Sequence, residues 1–111
     1  MELKQETIRG VNVISIKGRL DVTTTPNLEQ TFAKVFEQEK VKALVDCTEL
    51  EYISSAGLRA LLTAAKTAKK TDGKIVLSCL NTNVQQIFEI SGFTSIFDIY
   101  ETCDSAIDSL Q

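Results

Sequence analysis

Histidine is absent from this 111-residue chain. That absence removes the Ser-His-Asp and Cys-His catalytic arrangements and every histidine-ligated metal site. An enzyme built on this sequence would have to work with carboxylates, lysines or a bound cofactor. No catalytic dyad stands out among these groups, so the chain is read as a binding module and not an enzyme. A polybasic stretch is missing too: charged residues make up 24% of the chain, mixed in sign, and the net charge is −3. A protein that neutralises nucleic-acid phosphates or docks on anionic lipid needs the opposite balance, so neither nucleic acid nor a membrane surface is an expected partner. No apolar run approaches the ~18 residues of a membrane span. The opening Met1-Glu2-Leu3-Lys4-Gln5-Glu6 has no apolar stretch of signal-peptide length. The location expected from these features is the cytoplasm. No glycine-rich loop with a lysine is present to cradle phosphates, and neither a cofactor nor a small-molecule substrate is expected.

Cysteine is scarce, odd in number and widely spaced: Cys47, Cys79 and Cys103. Nothing resembles the paired spacing of a zinc site or a redox dithiol, and the expectation is reduced, mostly buried thiols. The apolar share, 43%, is enough for one core without disulfides or metals. No repeat, low-complexity tract or linker interrupts the chain, which is read as one domain over residues 1–111.

Two runs, Leu3 to Arg9 and Val11 to Lys17, flank Gly10; the second alternates apolar and polar residues, and the pair predicts a β-hairpin. The loop Gly18-Arg19-Leu20-Asp21 and Thr23-Thr24-Thr25 leads to Pro26, well placed for a first helical turn, with Thr25 as N-cap. Leu28, Phe32, Val35 and Phe36 extend that helix to about Gln38. Lys42 to Asp46 suits a buried central strand, and Thr48 to Glu51 an acidic loop. After Tyr52-Ile53-Ser54-Ser55, the positions Leu58, Leu61, Leu62, Ala65 and Ala68 mark a long helix that stops near Gly73. Lys74 to Leu80 reads as a strand and Asn81 to Gly92 as a capped short helix. Ile96 to Tyr100 reads as a short strand and Cys103 to Leu110 as a final helix. The predicted class is α/β: a mixed sheet of about five strands, mostly parallel with an antiparallel opening hairpin. About four helices lie mainly on one face.

In such sheets the turns at the carboxyl ends of the strands carry function. The turn Ser54-Ser55-Ala56-Gly57 combines a capping hydroxyl with small residues that leave the first helical amides open. Free N–H groups and the positive end of the helix dipole favour negative charge there. A phosphate on Ser55 would gain these interactions and add about −1.5 to −2 charges at neutral pH to a neutral hydroxyl surface. A partner packed there in an apolar or acidic contact would be repelled. Two serines before a helix also serve simply as caps, and Thr23 to Thr25 as a polar loop.

The block Asp46-Cys-Thr-Glu-Leu-Glu-Tyr-Ile-Ser-Ser-Ala-Gly-Leu-Arg-Ala-Leu-Leu62 resembles the signature of bacterial anti-sigma factor antagonists, the STAS domain family. Gly18-Arg19-Leu20-Asp21 resembles that family's Gly-x-Leu-Asp loop, and Phe88-Glu89-Ile90-Ser91-Gly92-Phe93 its Phe-x-x-Ser-Gly segment. The three matches follow the family's order across nearly the whole chain. The resemblance implies phosphorylation at Ser55, two positions before Gly57, by a GHKL-type kinase that is also an anti-sigma factor. The unphosphorylated form would bind that kinase and release its sigma factor; phosphorylation would break the complex, and a PP2C-type serine phosphatase would restore it. Asp21, Thr23, Thr24, Ser54, Ala56 and Gly57, with Leu58 and Leu62 lending apolar contact, would then face the partner. One departure stands out: Ser54 occupies a position where the family commonly has Asp. The alternative is a STAS accessory or nucleotide-binding regulatory module that is not phosphorylated.

Overall fold

A computed structural model describes residues 1–111. The chain opens with β1 (Glu2–Ile8) and β2 (Val11–Leu20), paired antiparallel in register from Glu2–Lys17 to Ile8–Val11. Arg9 and Gly10 between them both have positive φ, 50° and 77°, which is the two-residue turn whose twist matches that of the strands. Then follow α1 (Thr25–Val35), β3 (Lys42–Ile53), α2 (Ser55–Lys70), β4 (Lys74–Ser78), α3 (Thr82–Ile90), β5 (Ile99–Tyr100) and α4 (Cys103–Ser109). The five strands form one sheet in sequence order, parallel from β2 onward. This is the expected mixed sheet.

Alternation of side chains across the strands divides the interior in two. Ile14, Ile16, Leu20, Ala43, Val45, Leu50, Ile53, Ile75 and Leu77 pack under α1, α2 and α3 through Leu28, Phe32, Leu61, Val84 and Phe88. On the other face, Val11, Val13, Leu44 and Val76 meet Ala106, Ile107 and Leu110 of α4 and its C-cap. Three helices therefore share one face and the last covers the other. No helix is long and apolar enough to cross a membrane.

Several boundaries differ from expectation. The largest is β3, which runs on through the acidic segment Thr48–Glu51 to Ile53. Its pairing with β2 slips twice: from Ser15 to Lys17 the partner advances from Asp46 to Glu49, and from Gly18 to Arg19 it advances from Leu50 to Tyr52. Each slip puts an extra residue into β3, so its inward positions fall at Cys47, Leu50 and Ile53, and alternation disappears from the sequence. Thr24 rather than Thr25 takes the N-cap position of the first helix, with no side-chain cap bond, and the helix ends at Val35. Only Ile99–Tyr100 of the predicted last strand pairs, after a 3-10 turn at Phe93–Ser95.

The long helix stops as expected near Gly73, though Asp72 takes the left-handed conformation, φ 59°. Gly73 is required for a different reason: a Cβ there would lie 2.5 Å from the Val41 carbonyl oxygen. The expectation of mostly buried cysteines holds only for Cys47, whose thiol pKa is pushed up by burial; Cys79 and Cys103 are half-buried.

Candidate functional site

Two turns meet at the carboxyl ends of β2 and β3. The backbone joins them directly, Ser54 N–H donating to the Leu20 carbonyl at 2.9 Å. Arg19 and Tyr52, opposite each other across the same two strands, stack with the guanidinium 4.3 Å from the ring centre. Such contacts are worth about 0.5–1 kcal/mol at an exposed site.

The first turn is built around Asp21. Its carboxylate Oδ1 accepts from the Thr23 hydroxyl at 2.8 Å, Thr23 N–H at 3.0 Å and Thr24 N–H at 3.2 Å. Its carbonyl accepts from the buried Thr25 through both N–H and hydroxyl, at 2.9 and 2.6 Å. The Thr24 hydroxyl accepts from Asp21 N–H and donates to the Arg19 carbonyl. Asp21 and Thr24 are thus half-buried and committed to the turn, while Thr23 is exposed.

The Thr23 hydroxyl is the largest influence holding the Asp21 carboxyl below its ordinary value of 3.8; desolvation opposes it, and the two backbone amides add to the lowering. A carboxyl with a depressed folded-state pKa stabilises the fold above its unfolded value and loses that contribution as pH falls through the folded pKa. Carboxyl NMR across an acid titration is expected to place the Asp21 midpoint below 3.8. Thr23→Val should move that midpoint upward.

The second turn starts α2. Ser54 is the N-cap: it is extended, with ψ 172°, and its hydroxyl oxygen accepts from Gly57 N–H at 3.2 Å. Leu58 N–H then reaches the Ser54 carbonyl at 2.9 Å. Ser and Asp cap about equally well. Ser54 in place of the familiar Asp therefore keeps the cap and drops one negative charge from the rim. Ser54→Ala should cost about 1 kcal/mol in a urea melt.

Ser55, one position on, is the first residue of the helix and is exposed. Its hydroxyl takes no part in the cap. The Ser55 and Ala56 amides belong to the set without an intrahelical acceptor, and the first turn of α2 contains no acidic residue. This end of the helix is an uncompensated positive pole beside an exposed hydroxyl.

Other expected contact residues separate into two groups. Ala56 is half-exposed beside Ser55, and Leu62 is half-buried further along α2. Leu58, expected to offer apolar contact outward, is instead turned into the core at 7% exposure and braces α2 from beneath. Gly57 is buried as well: a Cβ there would lie 2.8 Å from Ile53 Cγ1 and 2.9 Å from Leu20 Cγ. Its smallness lets the helix sit down on the two strands, which is a stricter requirement than leaving amides open.

Residues that the motifs did not mark complete the surface. Val22, 73% exposed, lines a groove with Pro26, Ala56, Arg59 and Thr63 between the starts of α1 and α2. Nothing in the local pattern distinguishes Val22 from a core residue, because its exposure follows from the Asp21 turn.

The sequence profile of the STAS domain matches residues 2–106. The chain belongs to the STAS domain family. It is 34% identical over 106 residues to BtrV of Bordetella bronchiseptica, a protein named as a candidate anti-sigma factor antagonist, with 96% of this chain and 91% of that one covered. Among solved structures, this STAS domain superposes on an anti-sigma factor antagonist of Mycobacterium paratuberculosis with TM-score 0.89. Identity to it is 25%, and coverage is 98% of this chain and 92% of that one. It also shares its fold with the anti-sigma factor antagonist SpoIIAA in its unphosphorylated form, at TM-score 0.84 and 20% identity over 98% and 96% of the two chains. The phosphorylated form of SpoIIAA, from Bacillus, matches at TM-score 0.77 over 99% and 100%.

Proposed function

We propose that this STAS domain is an anti-sigma factor antagonist of the cytoplasm whose partner binding is switched by phosphorylation of Ser55. The observation that carries the reading is the division of labour between adjacent serines. Ser54 holds the helix, and Ser55 stands free on the surface at its positive end. The names borne by its relatives support the same role.

In this reading the unphosphorylated surface, formed by Thr23, Val22, Ala56 and Ser55 on the rim of the α1–α2 groove, docks on an anti-sigma factor that is also a GHKL-type serine kinase. Transfer of the ATP γ-phosphoryl group to the Ser55 oxygen replaces the hydroxyl proton with a phosphate and leaves ADP. The phosphate sits among the free amides of α2, so the domain stays folded, while the docked partner meets charge where it met a neutral alcohol. A PP2C-type phosphatase would reverse the step by hydrolysis.

The test is mass spectrometry of the chain after incubation with its kinase and ATP. One phosphate is expected, mapped to Ser55, and Ser55→Ala should remain unmodified. Incorporation that persists in Ser55→Ala would overturn the assignment.

A further inference from the structure

Away from the Ser55 surface, three residues distant in sequence bring ligand atoms together: the Asp46 carboxylate and the Cys79 and Cys103 thiols, all within 4.8 Å of one another. Asp46 is on β3 directly opposite Ser78 of β4, on the sheet face that α4 covers. Cys103 is the first residue of α4. Cys79 follows the last residue of β4, where strand alternation alone would turn it toward the opposite face. Its φ of 62° breaks that alternation, and its sulfur lies 3.9 Å from that of Cys103. The backbone is anchored there by Cys79 N–H donating to the Tyr100 carbonyl at 3.0 Å.

We propose that Asp46, Cys79 and Cys103 form a zinc site. Tetrahedral zinc with sulfur at about 2.3 Å and oxygen at about 2.1 Å sets ligand atoms roughly 3.6–3.8 Å apart. The observed sulfur separation already matches such an edge. A disulfide would instead require the sulfurs to close to about 2.05 Å and would give Asp46 no part.

The carboxylate is held by its neighbours. Oδ1 accepts from Thr48 N–H at 3.0 Å and from the Thr48 hydroxyl, while Oδ2 has only a 3.5 Å contact with the Ser15 hydroxyl. Two donors on Oδ1 therefore fix the carboxylate in place, as hydrogen bonds from neighbouring groups fix a metal-ligating carboxylate. Two thiolates with one carboxylate select zinc over magnesium or calcium, which prefer oxygen alone. Each thiol gives up its proton to solvent as its sulfur binds, so one Zn²⁺ replaces two H⁺. The bound ion would tie α4, seven residues long, to β3 and the end of β4.

The reduced full-length chain should be titrated with Co²⁺ under anaerobic conditions and followed by absorbance. A thiolate-to-cobalt charge-transfer band should saturate at one ion per chain and disappear when Zn²⁺ is added, and Zn²⁺ should raise the Tm. Cys103→Ser should weaken Zn²⁺ binding by roughly 100-fold or more, and Asp46→Asn by about 10-fold while keeping the band. Cys47→Ala should bind as the unaltered chain does. Absence of the band in the reduced wild-type chain at excess Co²⁺ would overturn the proposal without recourse to any variant. So would a band that survives Cys79→Ser with Cys103→Ser. Either result leaves the Ser55 reading untouched, since the two sites share no residue.

Discussion

Ser55→Asp is expected to lower affinity for the anti-sigma factor kinase proposed as the partner by roughly 30- to 1,000-fold, corresponding to about 2–4 kcal/mol, the cost of a like or uncompensated charge placed within a close interface. Ser55→Ala should bind within about 0.5 kcal/mol of the unaltered chain, because it leaves the proposed docking surface neutral and an exposed hydroxyl outside the cap contributes little to the fold. Calorimetric titration against the purified kinase measures both. The two substitutions also predict opposite behaviour for stability and binding. The first turn of α2 has no acidic residue, so an aspartate at Ser55 adds a charge that the helix pole favours by about 0.3–1 kcal/mol. The Asp variant should therefore melt no earlier than the parent while binding far more weakly. Loss of binding together with a lowered Tm would mean that the substitution acts by damaging the fold. Equal binding by the Asp and parent proteins would place the docking surface somewhere other than the start of α2.

Much of this architecture was legible because the chain obeys local rules where it is regular. The hairpin is announced by the alternation of Val11 to Lys17 after Gly10, and α2 by apolar positions from Leu58 to Ala68. The end of that helix is marked by lysines and Gly73. Reading failed where the rule depends on a neighbour. The second half of β3 carries Thr48, Glu49 and Glu51 outward and buries Leu50 and Ile53 only because two register slips against β2 reset its alternation. No window of the β3 sequence contains that information.

The site shows the same division. Ser54 and Ser55 could be placed at a helix start from their order in the chain, but which one caps is decided by the extended backbone at Ser54. Leu58 was open to an outward reading because it sits one turn into an amphipathic helix beside the motif. The strands beneath it settle its direction. The nearness of Cys79 to Cys103 rests on a left-handed residue at the end of β4 and on the pairing of β4 with β5. Spacing along the chain cannot express either.

Gly57→Val should destabilise the domain by about 3 kcal/mol, lowering the Tm by roughly 15 °C for a chain of this size. The added Cβ would fall 2.8 Å from Ile53 Cγ1 and 2.9 Å from Leu20 Cγ. Those neighbours are not free ends of flexible side chains: Leu20 is 0% and Ile53 1% exposed, both locked in the core between sheet and helix. Relief must come from lifting the start of α2 off β2 and β3. That movement would strain the hydrogen bond from Ser54 N–H to the Leu20 carbonyl, which ties together the turns that follow β2 and β3.

Gly57→Ala separates the two contributions. Replacing a helical glycine by alanine gains about 1 kcal/mol of intrinsic helix stability, which offsets part of a smaller clash, so its net loss should be less than half that of valine. If packing under the helix is the reason for glycine, pairing Gly57→Ala with Leu20→Ala, which removes the facing Cγ and Cδ atoms, should recover stability relative to the sum of the single changes. Strict additivity in that cycle would show that the close approach of α2 to β2 carries no energetic weight.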